Sequence, residues 1–110
     1  MTPSEFLALA NKTLVSIEDA VGRIADSTDI DLEASRASNV LTLEFEDGSK
    51  IIVNSQEPMQ EIWVAAKSGG FHYRWNGTAW VDTKDAGELF AGLSRYVSQQ
   101  AGAAVVLAAS

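Results

Sequence analysis

Apolar residues near the start of the chain recur at intervals of three and four, which is the spacing of one face of an α-helix. Ser4, which follows Pro3, can cap the start of this helix, and we expect the helix to end near Ile24. We expect the apolar face of this helix to pack against the core. That face consists of Phe6, Ala10, Leu14, Ile17, Val21 and Ile24.

The middle of the chain instead alternates apolar and polar residues, which is typical of strands with one buried face. Asp47-Gly48, residues 68–70 and Asn76-Gly77 are turn signals between the alternating segments. Strands are therefore predicted at residues 30–34, 41–46, 50–54, 60–67, 71–75 and 79–82.

A second amphipathic helix is predicted near the end of the chain. Residues 83–85 can cap it, Glu88 adds a partial capping box with Asp85, and Gly102 ends it. Residues 103–110 are small and mostly apolar, and they either lie across the core as an ordered tail or fray. The apolar face of this second helix consists of Ala86, Leu89, Phe90, Leu93, Tyr96 and Val97.

Two amphipathic helices at opposite ends of a run of hairpins must bury their apolar faces against the same face of an antiparallel sheet. We therefore predict an α+β fold, a two-layer α/β sandwich. In it, an antiparallel sheet of about six strands is covered on one face by the N- and C-terminal helices. The length of 110 residues suits a single domain that spans residues 1–110.

The hairpin at residues 60–75 places one tryptophan on the polar side of the predicted sheet. Strand alternation puts Trp63 on the same face as Glu61 and His72, opposite the apolar residues. Exposed aromatic surface often marks a contact site, so Trp63 is a candidate partner-binding residue. The alternative is a ring covered by the tail of the chain or by a long neighbouring side chain. We expect His72 to be a partly exposed sheet residue.

The charge of the chain narrows the classes of partner. A formal net charge of −7 repels phosphate backbones and anionic lipids, so neither nucleic acid nor a membrane is expected as a partner. No apolar run approaches the ~20 residues that span a bilayer, and the N-terminus lacks a signal-peptide pattern, so we expect a cytoplasmic protein. The chain has no cysteine, which excludes disulfides, thiolate catalysis and cysteine ligation of a metal.

Acidic residues are concentrated in the first half of the chain, where residues 1–50 hold ten acidic and four basic side chains. Carboxylate oxygens suit hard cations such as Ca²⁺, Mg²⁺ or ferric iron, so an acidic helix end beside an edge strand is a candidate metal surface. From the residues alone, a solvated and solubilising face is the more common meaning of such a group. The candidate residues are Glu18, Asp19, Asp26, Asp29, Asp31 and Glu33.

No catalytic constellation is recognisable in the sequence. A nucleophile paired with a general base is missing, and residues 69–70 lack the Lys-Ser/Thr of a phosphate loop. We therefore do not expect an enzyme. A ferroxidase would need buried, paired carboxylates and Glu-x-x-His motifs, and the sequence contains no such motif.

Residues 54–75 read NSQEPMQEIWVAAKSGGFHYRW and carry the motifs N-x-Q-E-P, I-W-x-A and G-G-[FY]-H in that order. With these motifs the segment resembles the frataxin family, and in particular its bacterial members. The resemblance extends over the whole chain, through SEFLALAN, DSTDIDLE, LTLEFEDGSKIIVN and SQQAGAAV.

The resemblance implies an iron-binding protein that regulates or assists iron-sulfur cluster assembly by contacting the cysteine desulfurase and the scaffold protein. It implies ferrous or ferric iron bound weakly at an acidic ridge, which consists of Glu18, Asp19, Asp26, Asp29, Asp31 and Glu33. It also implies a partner-binding surface, which consists of Asn54, Gln56, Glu57 and Trp63.

The ridge of this chain departs from the family pattern. Gly22, Arg23 and Ala25 stand at positions that are often acidic in bacterial frataxins, which implies fewer or weaker iron sites. A monomer is expected, with iron-dependent oligomers as the alternative. Two other functions stay open: an iron-storage or ferroxidase-type protein, and a protein-binding adaptor that needs no metal.

Overall fold

The computed structural model describes residues 1–109, which form two helices and six strands. Neither helix of this described part is both long enough and apolar enough to cross a membrane. The helices are α1 (Pro3–Ser27) and α2 (Leu89–Ala101), and the strands are β1 (Leu32–Ala37), β2 (Val40–Phe45), β3 (Lys50–Gln56), β4 (Glu61–Ala66), β5 (Gly69–Trp75) and β6 (Trp80–Asp82).

The six strands form one antiparallel sheet in the order β1-β2-β3-β4-β5-β6, so β1 and β6 are its edges. Apolar residues of both helices and of one sheet face join in a single hydrophobic core. The predicted α+β fold, with an antiparallel sheet covered by two helices, is confirmed. The opposite side of the sheet, which the helices leave uncovered, is called the open face below.

The start of α1 differs from the prediction. Thr2, and not Ser4, is the N-cap, and Ser4 lies within the first turn. The Thr2 hydroxyl accepts a hydrogen bond from the Glu5 backbone N–H at 3.2 Å, and the Glu5 carboxylate accepts one from the Thr2 N–H at 2.8 Å. Pro3 then occupies the first helical position, where its missing N–H is not needed. At the other end, α1 continues past the predicted end at Ile24 to Ser27.

The predicted cap of α2 at residues 83–85 is also wrong. Ala86 has a φ of 62°, so the chain is not helical at this point. The Asp82 carboxylate instead accepts a hydrogen bond from the Lys84 backbone N–H at 2.7 Å, which holds residues 83–85 in a turn. Glu88 is the true N-cap, since its carboxylate accepts hydrogen bonds from two backbone N–H groups of the first helical turn.

The first strand lies further along the chain than predicted. β1 begins at Leu32 and ends at Ala37, whereas alternation predicted residues 30–34. The Thr28 hydroxyl accepts a hydrogen bond from the Ile30 backbone N–H at 3.2 Å, and this local turn delays the start of the strand. Asp29 and Asp31 therefore lie in the loop before β1, and only Glu33 of the acidic ridge lies on the strand.

The last described residues form a tail that packs along α2. The Ser98 hydroxyl oxygen accepts a hydrogen bond from the Val105 backbone N–H at 3.0 Å, and the Ser94 oxygen accepts one from the Leu107 N–H at 2.8 Å. Leu107 is 3% exposed and belongs to the core. Of the two outcomes left open for this segment, the ordered tail is the one observed over residues 103–109; Ser110 lies outside the described residues.

Helix α2 lies close to β5 at Gly92. The buried hydroxyls of Tyr73 and Tyr96 are hydrogen-bonded at 2.9 Å directly beside this glycine. A Cβ atom at position 92 would lie 2.3 Å from the Tyr73 hydroxyl oxygen, well inside van der Waals contact. Burial, together with the hydrogen bond to Tyr96, raises the pKa of Tyr73, so its hydroxyl stays neutral.

We expect Gly92→Ala to lower the free energy of unfolding by about 1 to 3 kcal/mol, because the new methyl group must displace the Tyr73 hydroxyl. Urea unfolding measures this loss. In a Tyr73→Phe background the colliding oxygen is absent, so the same glycine substitution should cost less. An equal cost in both backgrounds would contradict the assigned clash.

Candidate functional site

The centre of the open face carries two adjacent cross-strand rows of polar and aromatic side chains. Each row has one residue from β3, one from β4 and one from β5, in direct register. We call these six residues the central patch. The first row is Asn54, Trp63 and His72, and the second row is Gln56, Glu61 and Arg74.

Trp63 is half-buried on this face, as strand alternation predicted. Its ring lies flat against the imidazole of His72, with 4.3 Å between ring centroids and 6° between ring planes. Its indole N–H donates a hydrogen bond to the Glu61 carboxylate at 2.9 Å. The tail, as described over residues 103–109, packs along α2 and does not lie over this ring. The indole is therefore held at one edge and along one face.

Glu61 is 3% exposed although it belongs to the open face. Its second carboxylate oxygen accepts a hydrogen bond from the Arg74 guanidinium at 2.6 Å, and the His72 Nδ1 atom lies 3.6 Å from the first. Burial alone would raise the pKa of Glu61. The hydrogen bonds from Trp63 and Arg74 and the positive charge of Arg74 outweigh burial and lower that pKa.

The other predicted partner-binding residues lie beside Trp63. Asn54 is its cross-strand neighbour on β3, and the Gln56 side-chain amide donates a hydrogen bond to the Asn54 side-chain oxygen. Glu57 lies exposed in the turn between β3 and β4, just beyond the central patch. The structure thus brings Asn54, Gln56 and Trp63 together, with Glu57 at their border. Binding of a partner by these residues stays a prediction.

Glu61 and Arg74 are the members of the central patch that sequence reasoning missed. Alternation placed Glu61 on the Trp63 side of the sheet, but a single carboxylate on a polar face gave no reason to expect burial. The strand register is what indicates this burial, because it places Arg74 of β5 directly opposite Glu61 of β4 and His72 directly opposite Trp63. Register between strands is set by the turn and the packed face, so one strand read alone does not reveal it.

The six residues of the acidic ridge are spread over α1, the loop after it and β1. Asp19 and Asp26 are exposed on α1, and Glu33 is exposed on β1. Glu18 is half-buried and lies 4.0 Å from the Arg36 guanidinium of β1, which neutralises part of its charge. Within residues 1–109, no group of three or more acidic or histidine side chains is close enough to hold one metal ion.

Two members of the ridge turn toward an acidic cleft. Asp29 and Asp31 line an open depression of about 580 Å³, together with Glu46 and Asp47 from the turn between β2 and β3. Hydrogen bonds from Ser49 and then from Lys67 lower the pKa of Asp47 to about 2. The sequence did not predict that Glu46 and Asp47 would join the ridge.

Arg23 does not point along the ridge toward its acidic neighbours. Its guanidinium donates a hydrogen bond to the backbone carbonyl oxygen of Ala108 at 2.9 Å, and it thereby ties the C-terminal tail to α1. The positive charge of Arg23 therefore lies where the ridge borders the tail.

Comparison with known proteins identifies relatives over nearly the full length. The family model described as a frataxin-like domain matches residues 1–103. The iron-sulfur cluster assembly protein CyaY of Cupriavidus metallidurans is 61% identical over 107 residues, which cover 97% of this chain and 96% of that protein.

Solved structures also resemble this chain. Frataxin from Psychromonas ingrahamii, described as a member of the CyaY protein family, has a TM-score of 0.86 and 30% identity, and the match covers 98% of this chain and 99% of that one. Trimeric frataxin from Saccharomyces cerevisiae, complexed with ferrous, shares the fold with a TM-score of 0.73 at 22% identity, over 84% of this chain and 85% of that one.

The Glu61 contacts predict a pH-dependent contribution to stability. A lowered folded-state pKa means that the contribution is fully present above the ordinary value of 4.5 and is lost as the pH falls through the folded value. At pH 7 we expect Glu61→Gln to lower the free energy of unfolding by about 1 kcal/mol. Urea unfolding from pH 7 to pH 3 should show this difference shrinking. A difference that grows toward low pH would contradict the assigned contacts.

Glu33 and Glu44 face each other directly across β1 and β2. Like charges in this arrangement repel, so we expect Glu33→Gln to raise the thermal midpoint slightly. Glu44→Gln should gain less, because Glu44 is also directly opposed to Lys50 on β3 and loses that attraction. The double variant should gain less than the two single gains together, because the first change already removes the repulsion. Calorimetry checks this, and a fall in the midpoint of Glu33→Gln would show that Glu33 makes a stabilising contact.

Proposed function

The chain belongs to the frataxin family, and from this premise we propose that it acts in iron-sulfur cluster assembly as an iron-binding regulator or adaptor and not as an enzyme. The relative from Cupriavidus metallidurans, named an iron-sulfur cluster assembly protein, supports this role over nearly the full chain. We place the protein in the cytoplasm, where its partners would be the cysteine desulfurase and the scaffold protein.

The observation that carries the partner-binding part is the half-buried Trp63 ring on the open face. An aromatic ring that is already ordered loses little conformational freedom when a partner covers it. Asn54 and Gln56 supply hydrogen-bonding groups beside the ring, which is the usual composition around an interface anchor. We propose that Trp63, Asn54, Gln56 and Glu57 form the docking surface for the assembly machinery.

For iron, we propose weak binding as cargo at the acidic ridge: Glu18, Asp19, Asp26, Asp29, Asp31 and Glu33. Exposed carboxylate oxygens are suitable ligands for ferrous and ferric iron. Asp29 and Asp31 are the favoured positions, since Glu46 and Asp47 line the same cleft and make it acidic.

A second candidate is an adaptor whose acidity serves recognition and not metal binding. The structure favours it in one respect: within residues 1–109, no three acidic or histidine side chains are close enough together to hold one metal ion. An acidic surface of this kind would steer a basic partner surface during association.

Titration of anaerobic ferrous iron into ¹⁵N-labelled protein, followed by purified cysteine desulfurase, separates the two candidates. We expect iron to perturb backbone signals of residues 18–33, most strongly near Asp29 and Asp31. We expect the desulfurase to perturb the ridge together with Trp63. Desulfurase binding without any response of the ridge to iron would favour the metal-independent adaptor.

We expect Trp63→Ala to weaken desulfurase binding by about 30-fold or more, the loss typical of an aromatic interface anchor. The free energy of unfolding should fall by only about 1 to 3 kcal/mol, because the half-buried ring loses its stacking on His72 and its hydrogen bond to Glu61 but no place in the core. Isothermal titration calorimetry and urea unfolding measure the two quantities. Val106→Ala is the matched control, because it truncates an apolar side chain that is 80% exposed on the tail. Unchanged affinity in Trp63→Ala would reject the docking surface.

A further inference from the structure

Glu61 is an unusual residue for the solvent side of a sheet. A buried carboxylate is unfavourable unless its oxygens are hydrogen-bonded and its charge is paired. Both conditions hold here, since one oxygen accepts from the Trp63 indole at 2.9 Å and the other from the Arg74 guanidinium at 2.6 Å. Both oxygens of the carboxylate are thus hydrogen-bonded by neighbours on the open face.

The contacts of Glu61 join the two rows of the central patch. Glu61 and Arg74 are a directly opposed pair, and so are Trp63 and His72. The hydrogen bond from Trp63 to Glu61 links these pairs along β4, two residues apart on the same face. The indole is therefore fixed by a hydrogen bond at its edge and by the imidazole along its face, with 4.3 Å between the ring centroids.

We propose that Glu61 is the positioning residue of the docking surface: it holds the Trp63 ring in the orientation that the partner binds. This inference rests on the proposed function, because it assumes that the partner covers Trp63. Ordering one large side chain on association costs about 0.5 to 1.5 kcal/mol. Loss of the positioning contact should therefore weaken binding by about 2- to 12-fold.

The orientation of the ring can be observed without any partner. Each of Trp63, Trp75 and Trp80 gives an indole N–H signal in ¹H–¹⁵N spectra, and Trp63→Phe assigns the first of them. In Glu61→Ala we expect the Trp63 signal to move upfield and its nuclear Overhauser contacts to the His72 ring to weaken. The Trp80 indole, which donates to the Thr13 hydroxyl at 2.9 Å on the core side, should not move.

Three further variants separate positioning from general damage. Glu61→Gln keeps an oxygen for the indole while Arg74, 60% exposed, can turn to solvent, so the Trp63 signal and the affinity should stay near those of the wild type. Glu44→Ala makes the same chemical change at an exposed site on the open face and should alter neither. Trp63→Phe removes the donor of the same hydrogen bond, and it tests the proposal even if Glu61→Ala does not fold.

Affinity for purified cysteine desulfurase completes the test. We expect Glu61→Ala and Trp63→Phe each to lose affinity by about 2- to 12-fold, and the double variant to lose little more than either. The inference is overturned if the Trp63 signal stays in place in Glu61→Ala. It is also overturned if Trp63→Ala weakens binding while Glu61→Ala and Trp63→Phe bind as the wild type does. Unchanged affinity in Trp63→Ala itself would instead reject the docking surface, and with it a role of Glu61 in binding.

Discussion

Burial of one face of the sheet is the constraint on which the rest of this structure depends. Both amphipathic helices must cover apolar surface, and only one face of the six-stranded sheet is apolar enough to receive them. Side chains of a strand alternate between faces, so every residue that packs against the helices forces its neighbours to the open face. Trp63 is held outside the core by Ile62 and Val64, which are both almost fully buried.

On the open face, polar interactions hold side chains in fixed positions, as close packing does in the core. Glu61 has no apolar cover from the helices, yet the contacts with Trp63 and Arg74 leave it almost completely inaccessible to water. These contacts favour the charged form of the carboxylate over the neutral form, which is why its pKa falls despite burial. Hydrogen bonds, stacking and one ion pair together give this part of the surface a defined shape.

The two candidate surfaces differ in charge and in order. The central patch has few charges, and its only buried carboxylate is compensated by Arg74. The acidic ridge lies toward the β1 edge and the end of α1, where its exposed carboxylates are spread over a helix, a loop and a strand. An ordered patch suits tight contact with one partner, whereas dispersed charge suits long-range attraction or weak cation binding. Because the two surfaces are separate, a chain of 110 residues can carry both an ordered patch and dispersed charge.

Sequence periodicity by itself determined the number and order of the helices and strands and the side of the sheet on which Trp63 lies, because alternation and helical spacing follow from local geometry. The sequence also carries the motifs that resemble the frataxin family, and that resemblance implied Asn54, Gln56 and Glu57 as candidate docking residues. It did not determine the caps at Thr2 and Glu88, since several nearby residues could cap either helix. Only the tertiary structure decided that Glu61 is buried, that Asp29 and Asp31 share a cleft with Asp47, and that Arg23 binds the tail. Each of these features depends on contacts between segments that lie far apart in the sequence. Strand register and helix packing together determine which residues of those segments meet.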